Sequence, residues 1–308
     1  MSVYTEPVYK DVDAPVAARV ADLLGRMTVD EKLGQMTQID RRYLEDESDL
    51  ATYHLGSVFS GGGSAPEPND PQTWADMVDR YQRIALSTRL GIPILYGTDA
   101  VHGHNNLHGA TIYPHQIGLG AANDADLNRR IGAALAVEVV ATGPRWTFAP
   151  CIAVARNERW GRTFESPGEH PSLASTMAAM VTGIQTDELG STPTSILCTL
   201  KHFVGDGGTT GGLDRGNVEL DEAEFRAIHV APYLDALAAG AGSVMISYNS
   251  WQGVRCHGHR YLITDLLKGE LGFDGFVVSD WAGIDDIDGE PGFSPTDVAT
   301  AVNAGIDM

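Results

Sequence analysis

The feature that most constrains this chain is an alternation repeated along its whole length. Short apolar runs of strand length, most of them ending at Gly, Pro or a polar cluster, take turns with stretches of helical periodicity. The runs are Gln35 to Ile39, Gly56-Ser57-Val58-Phe59-Ser60, Ile94-Leu95-Tyr96-Gly97, Trp146-Thr147-Phe148-Ala149-Pro150, Ile196 to Leu200, Val244-Met245-Ile246-Ser247-Tyr248 and Gly275-Phe276-Val277-Val278. Ala304-Gly305-Ile306-Asp307-Met308 reads as the beginning of another. Continuous apolar runs suit strands buried on both faces, and helices between them supply the crossovers that parallel strands need. Eight such β/α steps in 308 residues describe an α/β fold of the (β/α)₈ barrel type, cut within its eighth strand. No repeat of solenoid length competes with it.

The helical stretches carry their own punctuation. Val16, Val20, Leu23, Leu24 and Met27 recur at helical spacing. Thr28 and Glu31 form a capping box that restarts a short helix. Trp74, Met77, Val78, Tyr81 and Ile84 share one face of a long helix that stops at Gly91-Ile92-Pro93. Asn123 or Asp124 caps the next, with Leu127, Ile131 and Leu135 on its buried face. Leu173, Met177, Met180, Val181 and Ile184 mark another. Asp221 and Glu224 open a helix that must bend at Pro232, which lacks the amide donor. Ser294-Pro295 begins the last.

Polar residues collect just after the strands. Asp99 follows the third, Arg159 the fourth, Lys201 and His202 the fifth, Tyr248 the sixth, and Asp280 with Trp281 the seventh. In a parallel barrel these ends converge on one rim. Taken singly, each has a structural reading: Asp280 as a helix cap, Lys201 or His202 as a paired group, Tyr248 as core. Five strands delivering such residues to one rim favour a pocket. Asp, Arg, Lys, His and Tyr together provide donors and acceptors for a polyhydroxylated ligand, and Trp281 offers a flat apolar face to a sugar ring.

Composition narrows the partners. Twenty-one basic and 41 acidic residues give a formal charge of −20, which disfavours nucleic acid and suits a neutral substrate. No apolar run is long enough for a membrane span, and the start, Met1 to Pro7, shows no signal peptide. Cys151, Cys198 and Cys256 lie far apart and make no disulfide framework. His102-Gly103-His104 and His257-Gly258-His259 are pairs of the kind a metal-dependent barrel hydrolase would use. Such a site would also need a carboxylate and further histidines on the same rim, and Asn105-Asn106 beside the first pair reads as a hydrogen-bonded loop. The stretch from Gly205 to Gly216 lacks P-loop spacing and reads as a flexible rim segment. No cofactor and no metal is expected.

Gly97-Thr98-Asp99-Ala100-Val101-His102-Gly103, Arg159-Trp160-Gly161-Arg162, Lys201-His202-Phe203, Met245-Ile246-Ser247-Tyr248 and Gly275 to Trp281, in that order, resemble glycoside hydrolase family 3. The resemblance spans nearly the whole chain and is to the β-glucosidases and exo-β-glucanases of that family. It implies that residues 1–308 are the N-terminal barrel domain and that Asp280 is the nucleophile of a retaining mechanism. It implies that Asp99, Arg159, Lys201, His202 and Tyr248 hold the sugar in the −1 subsite, with Trp281 on the +1 side. The implied partner is a β-glucoside or β-glucan oligosaccharide. In two-domain members the acid/base is a Glu of the following α/β sandwich domain, expected downstream of this chain. In single-domain N-acetylglucosaminidases it is a His in the loop after Lys-His-Phe. Here that loop reads Val204-Gly205-Asp206-Gly207, with Asp206 in place of the histidine, so the acid/base is expected outside these 308 residues. A periplasmic or extracellular location is implied, and the absence of a visible signal peptide leaves the cytoplasm open. A glucan-binding barrel without turnover and the metal-dependent hydrolase are the competing readings.

Overall fold

The computed structural model describes residues 6–285, 287–290 and 292–308. Met1 to Thr5, read above for a signal peptide, lie outside the described residues. Seven parallel strands curl in the order β1 (Gln38–Asp40), β2 (Ser57–Ser60), β3 (Leu95–Thr98), β4 (Trp146–Thr147), β5 (Leu197–Phe203), β7 (Ser243–Ile246) and β10 (Phe276–Val278), as in a (β/α)₈ barrel. Residues 306–308 begin to pair beside β10: the Asp307 amide donates to the Val277 carbonyl at 2.9 Å, and the Ser279 amide to the Met308 carbonyl at 2.8 Å. These bonds lie where the sequence reading expects an eighth strand, but no strand is formed there among the described residues, and the helix Pro295–Ala304 with its cap Gly305 takes the first two residues of that run.

Alternation along each strand decides what fills the interior. Phe59, Leu95, Trp146, Phe148, Leu197, Met245, Phe276 and Val278 point inward and form one apolar cluster. Trp146 meets Phe148 edge-on at 4.9 Å and Phe276 at 5.2 Å between ring centroids. Intervening residues such as Cys198, Leu200, Val244 and Val277 point outward into the layer between sheet and helices. Gly97 is small by necessity, since a Cβ there would come within 2.6 Å of the Phe148 ring.

The helices form largely where the periodicity puts them. Thr28 and Glu31 make the reciprocal capping box. Asp70 caps the helix Pro71–Leu86, which buries Trp74, Met77, Val78 and Tyr81. Asp124 caps Ala125–Ala141, while Asn123 ends the preceding helix in the left-handed conformation. The stretch read as one helix through Leu173 and Ile184 is two, Pro171–Ser175 and Ala178–Gln185. The helix opened by Asp221 widens into a π turn over Arg226–Val230, before Pro232. A further π-wound helix, Tyr261–Glu270, and a small sheet of β6 (Asn217–Val218), β8 (Ser250–Trp251) and β9 (Val254–Arg255) were not foreseen. The first strand is shifted as well: the helix Val29–Gln35 and its cap Met36 take the start of the expected run, and the strand begins at Gln38. The glycine-rich segment after β5 is not a loose rim. It makes two short 3₁₀ turns, and a Cβ at Gly207 would strike the Val154 carbonyl at 2.3 Å.

Candidate active site

The inward alternation that packs the interior continues past the strand ends, where it presents polar groups. Leu95 and Gly97 lead to Asp99, Leu197 and Thr199 to Lys201, and Phe276 and Val278 to Asp280. Strict alternation would turn His202 away from the pocket. The register of β5 against β7 shifts between Leu200 and Phe203, and both Lys201 and His202 line the pocket, as a bulge that re-aims a side chain allows. The pocket has a volume of about 640 Å³. Phe59, Phe148 and Met245 form its floor, Asp99, Arg162, Lys201, His202 and Asp280 its polar wall, and Tyr43 and Trp281 part of its rim.

Asp280 is held asymmetrically. Its backbone amide donates to His257 Nε2 at 3.1 Å, and its Oδ1 accepts from the Trp281 amide at 2.7 Å. Its Oδ2 is buried and makes no hydrogen bond among the described residues, and it lies 3.6 Å from His202 Nε2. Lys201 is buried and donates to Asp99 Oδ1 at 3.2 Å. Burial by itself would lower the lysine's pKa, but the charges of Asp99, Glu165 and Asp280 outweigh it and hold the pKa above its ordinary value. Lys201 is therefore a cation at neutral pH. Arg162 donates to Glu165 through Nε at 2.8 Å and Nη2 at 3.1 Å, and Nη2 also donates to His202 Nε2 at 2.8 Å. Burial opposes the charge on Glu165, yet Arg162 overcomes it and brings the carboxyl down to about 2.

The fourth strand supplies Arg162, not Arg159. Arg159 is exposed and lies outside the pocket lining, whereas Arg162 is inside it. Both belong to one irregular loop, and no periodicity in the sequence chooses between them. Tyr248 stands beside Asp280 rather than in the pocket lining. Its hydroxyl donates to the Trp281 carbonyl, and burial followed by the Asp280 charge pushes its pKa well above the ordinary phenol range. Trp281 is 47% exposed and faces Tyr43 with ring centroids 6.4 Å apart. Tyr43 carried no signal in the sequence; it ends a short 3₁₀ turn, Arg41–Tyr43, that no periodicity marks.

The two His-x-His pairs do not converge. His257 is buried on the Asp280 amide, and burial lowers its pKa to about 4, so it is neutral. His259 stacks on Trp251, His102 on His115, and buried His104 bonds Thr142 at 2.9 Å. Among the described residues no group of three or more His, Cys, Asp or Glu is placed to hold a metal ion. No helix among them is long and apolar enough to cross a membrane.

A curled parallel sheet that gathers a carboxylate and cations at its strand ends is the arrangement of a barrel with a polar ligand pocket, and the comparisons give its family. The family model of the glycosyl hydrolase family 3 N-terminal domain matches residues 28–308. The chain belongs to glycosyl hydrolase family 3. It is 34% identical over 316 residues to the lysosomal beta glucosidase of Dictyostelium discoideum, covering 94% of this chain and 38% of that protein. It is 32% identical to the periplasmic beta-glucosidase of Salmonella typhimurium, covering 94% of this chain and 37% of the relative. Among solved structures, the exo-1,3/1,4-beta-glucanase of a Pseudoalteromonas species superposes with a TM-score of 0.87 at 45% identity, over 98% of this chain and 38% of that one. A mutant beta-glucosidase of Listeria innocua, solved with laminaribiose, gives a TM-score of 0.81 at 29% identity, over 94% of this chain and 41% of that one. The chain thus spans well under half the length of these proteins.

Proposed function

We propose that the chain is the nucleophile-bearing barrel of a retaining, exo-acting β-glucosidase or exo-1,3(1,4)-β-glucanase, which releases glucose from the non-reducing ends of β-glucans and β-glucosides. The observation that carries this is Asp280 Oδ2: a carboxylate oxygen at a strand end, free of hydrogen bonds among the described residues, in a pocket that also holds Lys201 and Arg162. In this reading Oδ2 attacks the anomeric carbon, the C–O bond to the leaving group breaks, and the glycosyl–Asp280 ester is then hydrolysed by water. Asp99, Arg162, Lys201, His202 and Tyr248 hold the sugar, and Trp281 meets the leaving group.

Departure of an alcohol needs a proton. The other carboxylates lining the pocket are each engaged: Asp40 with Arg42 at 2.5 Å, Asp99 with Lys201 at 3.2 Å, and Asp307 with Lys268 at 2.8 Å. Glu165 is gripped by Arg162, and Asp206 is buried on the far side of His202. We therefore assign the acid/base to a second domain of the longer protein, an assignment supported by the greater length of the relatives. The periplasmic relative favours a location outside the cytoplasm.

The test uses two leaving groups. With 2,4-dinitrophenyl glucoside, which needs little protonation, the 1–308 protein is expected to release about one equivalent of dinitrophenol slowly. With cellobiose or laminaribiose it is expected to show almost no turnover. Full cellobiose activity would show that the barrel supplies its own acid and would overturn the two-domain assignment. No release from either substrate would overturn the catalytic reading in favour of a glucan-binding barrel.

A further inference from the structure

One layer behind the pocket wall lies an acid that no substrate can reach directly. Asp206 is 7% exposed and sits in the 3₁₀ turn that follows β5. Its Oδ2 is 2.7 Å from His202 Nδ1, and its Oδ1 accepts from the Gly207 amide at 3.1 Å. On the other side of the same imidazole, Nε2 meets Arg162 Nη2 at 2.8 Å.

The protons of this chain can be assigned by elimination. A guanidinium has donors and no acceptor, and Asp280 Oδ2, at 3.6 Å from His202 Nε2, is beyond hydrogen-bond reach, so Nε2 is the bare nitrogen. A neutral imidazole then carries its proton on Nδ1, and Asp206 Oδ2 is the acceptor that takes it. A ring protonated on Nε2 would set one N–H against another and break the Arg162 contact. We propose that Asp206 is a positioning residue: its carboxylate fixes His202 in the Nδ1–H tautomer, and the bare Nε2 holds Arg162 in its place in the pocket wall beside Asp280. Arg162 is thus held from two sides, by Glu165 and by His202. A residue that orients a first partner through its tautomer is a familiar device in triads and metal sites.

The requirement is for a carboxylate and not only for a polar side chain of this size. Both oxygens of Asp206 accept, one from His202 and one from Gly207. An Asn can accept only through its single oxygen. Facing that oxygen to Gly207 puts an NH₂ against His202 Nδ1 and forces the wrong tautomer. Facing it to His202 puts the NH₂ against the Gly207 amide. The turn cannot easily shift to relieve this, because Gly207 lies so close to the Val154 carbonyl.

The catalytic consequence rests on the glycosidase reading of the pocket, whereas the tautomer does not, so the experiment reads both. The 1–308 protein is labelled with ¹⁵N-histidine, and the His202 resonances are assigned by their loss in His202→Gln. Long-range ¹H–¹⁵N correlation then distinguishes protonated from bare ring nitrogens. The wild-type protein is expected to show His202 with a protonated Nδ1 and a bare Nε2. In Asp206→Asn that pattern is expected to be lost, and single-turnover release of dinitrophenol from the activated glucoside to fall roughly 10- to 100-fold, the scale typical of partners that orient a functional group. A protonated Nε2 in the wild type overturns the proposal even if the variant fails to fold. Retention of the wild-type pattern in Asp206→Asn, or its loss with an unchanged release rate, overturns it too. Should the wild type show the expected tautomer but release no dinitrophenol, the positioning of Arg162 stands and the glycosidase reading falls.

Discussion

The two oxygens of Asp280 have different surroundings, and that difference is the strongest argument at the residue scale. Oδ1 is occupied by the Trp281 amide, while Oδ2 is buried without a partner among the described residues. Leaving a buried carboxylate oxygen unbonded costs free energy, which makes such an atom a candidate for function rather than structure. Arg162→Lys is expected to slow formation of the glycosyl-enzyme roughly 10- to 100-fold, because a lysine has no planar fork to bridge Glu165 and His202 together. Arg159→Ala, at an exposed position, is expected to change the rate by less than about 2-fold, in keeping with surface substitutions generally. Single-turnover release from the dinitrophenyl glucoside checks both, and the reverse ranking would return the site to Arg159. Calorimetry with glucose offers another comparison. Asp99→Ala removes a charged acceptor and leaves Lys201 unpaired, so it is expected to weaken binding by about 1.5–3 kcal/mol. Trp281→Ala, on the rim, is expected to cost less for glucose and more for longer substrates; equal losses for glucose would count against the subsite order. The sequence showed Asp99, Asp280, Lys201, His202 and Tyr248 because each follows an apolar run that ends abruptly. It could not separate Arg162 from Arg159, nor reveal Tyr43, because irregular loops leave no periodic trace of side-chain direction.

At the scale of the elements, β3 shows how closely packing and pocket are coupled. Gly97, two residues before Asp99, lies against the ring of Phe148, and Phe148 lines the pocket. Gly97→Ala is expected to overpack this contact, at a cost of about 1–3 kcal/mol in urea unfolding with little change in slope. The displaced Phe148 should also weaken glucose binding, and a variant with wild-type stability and affinity would show that the interior is looser than described. Strands β2, β3, β5, β7 and β10 were legible because they are apolar runs bounded by breakers. The first strand was not placed correctly: Gln38-Ile39-Asp40 has one apolar residue and no alternation to display. The two-residue strands of the small sheet are too short for any period. The bend forced by Pro232 was legible from its missing amide, but its form as a π turn over Arg226–Val230 depends on packing.

At the scale of the whole molecule, buried histidines tie stability to pH. His104, His229 and His257 are all pressed down to about 4 by burial. An unfolded chain takes up protons at these side chains near pH 6.5, while the folded chain refuses them until about pH 4. Stability is therefore at its full value above pH 6.5 and falls as pH drops toward 4, with a slope approaching three protons. Glu165, held at about 2, adds a further loss below its ordinary range. Chemical denaturation from pH 7.5 to 4.5 checks this, and a flat profile would show that the histidines are not buried as neutral groups. The alternation of runs made the barrel legible over almost the whole chain. It could not show how the acid is supplied, since that depends on which carboxylates are already paired. The most direct test of the central assignment is to locate the covalent intermediate itself. After reaction of the 1–308 protein with 2,4-dinitrophenyl 2-deoxy-2-fluoro-glucoside, peptide mapping by mass spectrometry is expected to place one fluoroglucosyl group on Asp280 and none on Asp280→Asn. An adduct on another carboxylate, or an undiminished adduct on Asp280→Asn, would remove Asp280 from the nucleophile role and contradict the account.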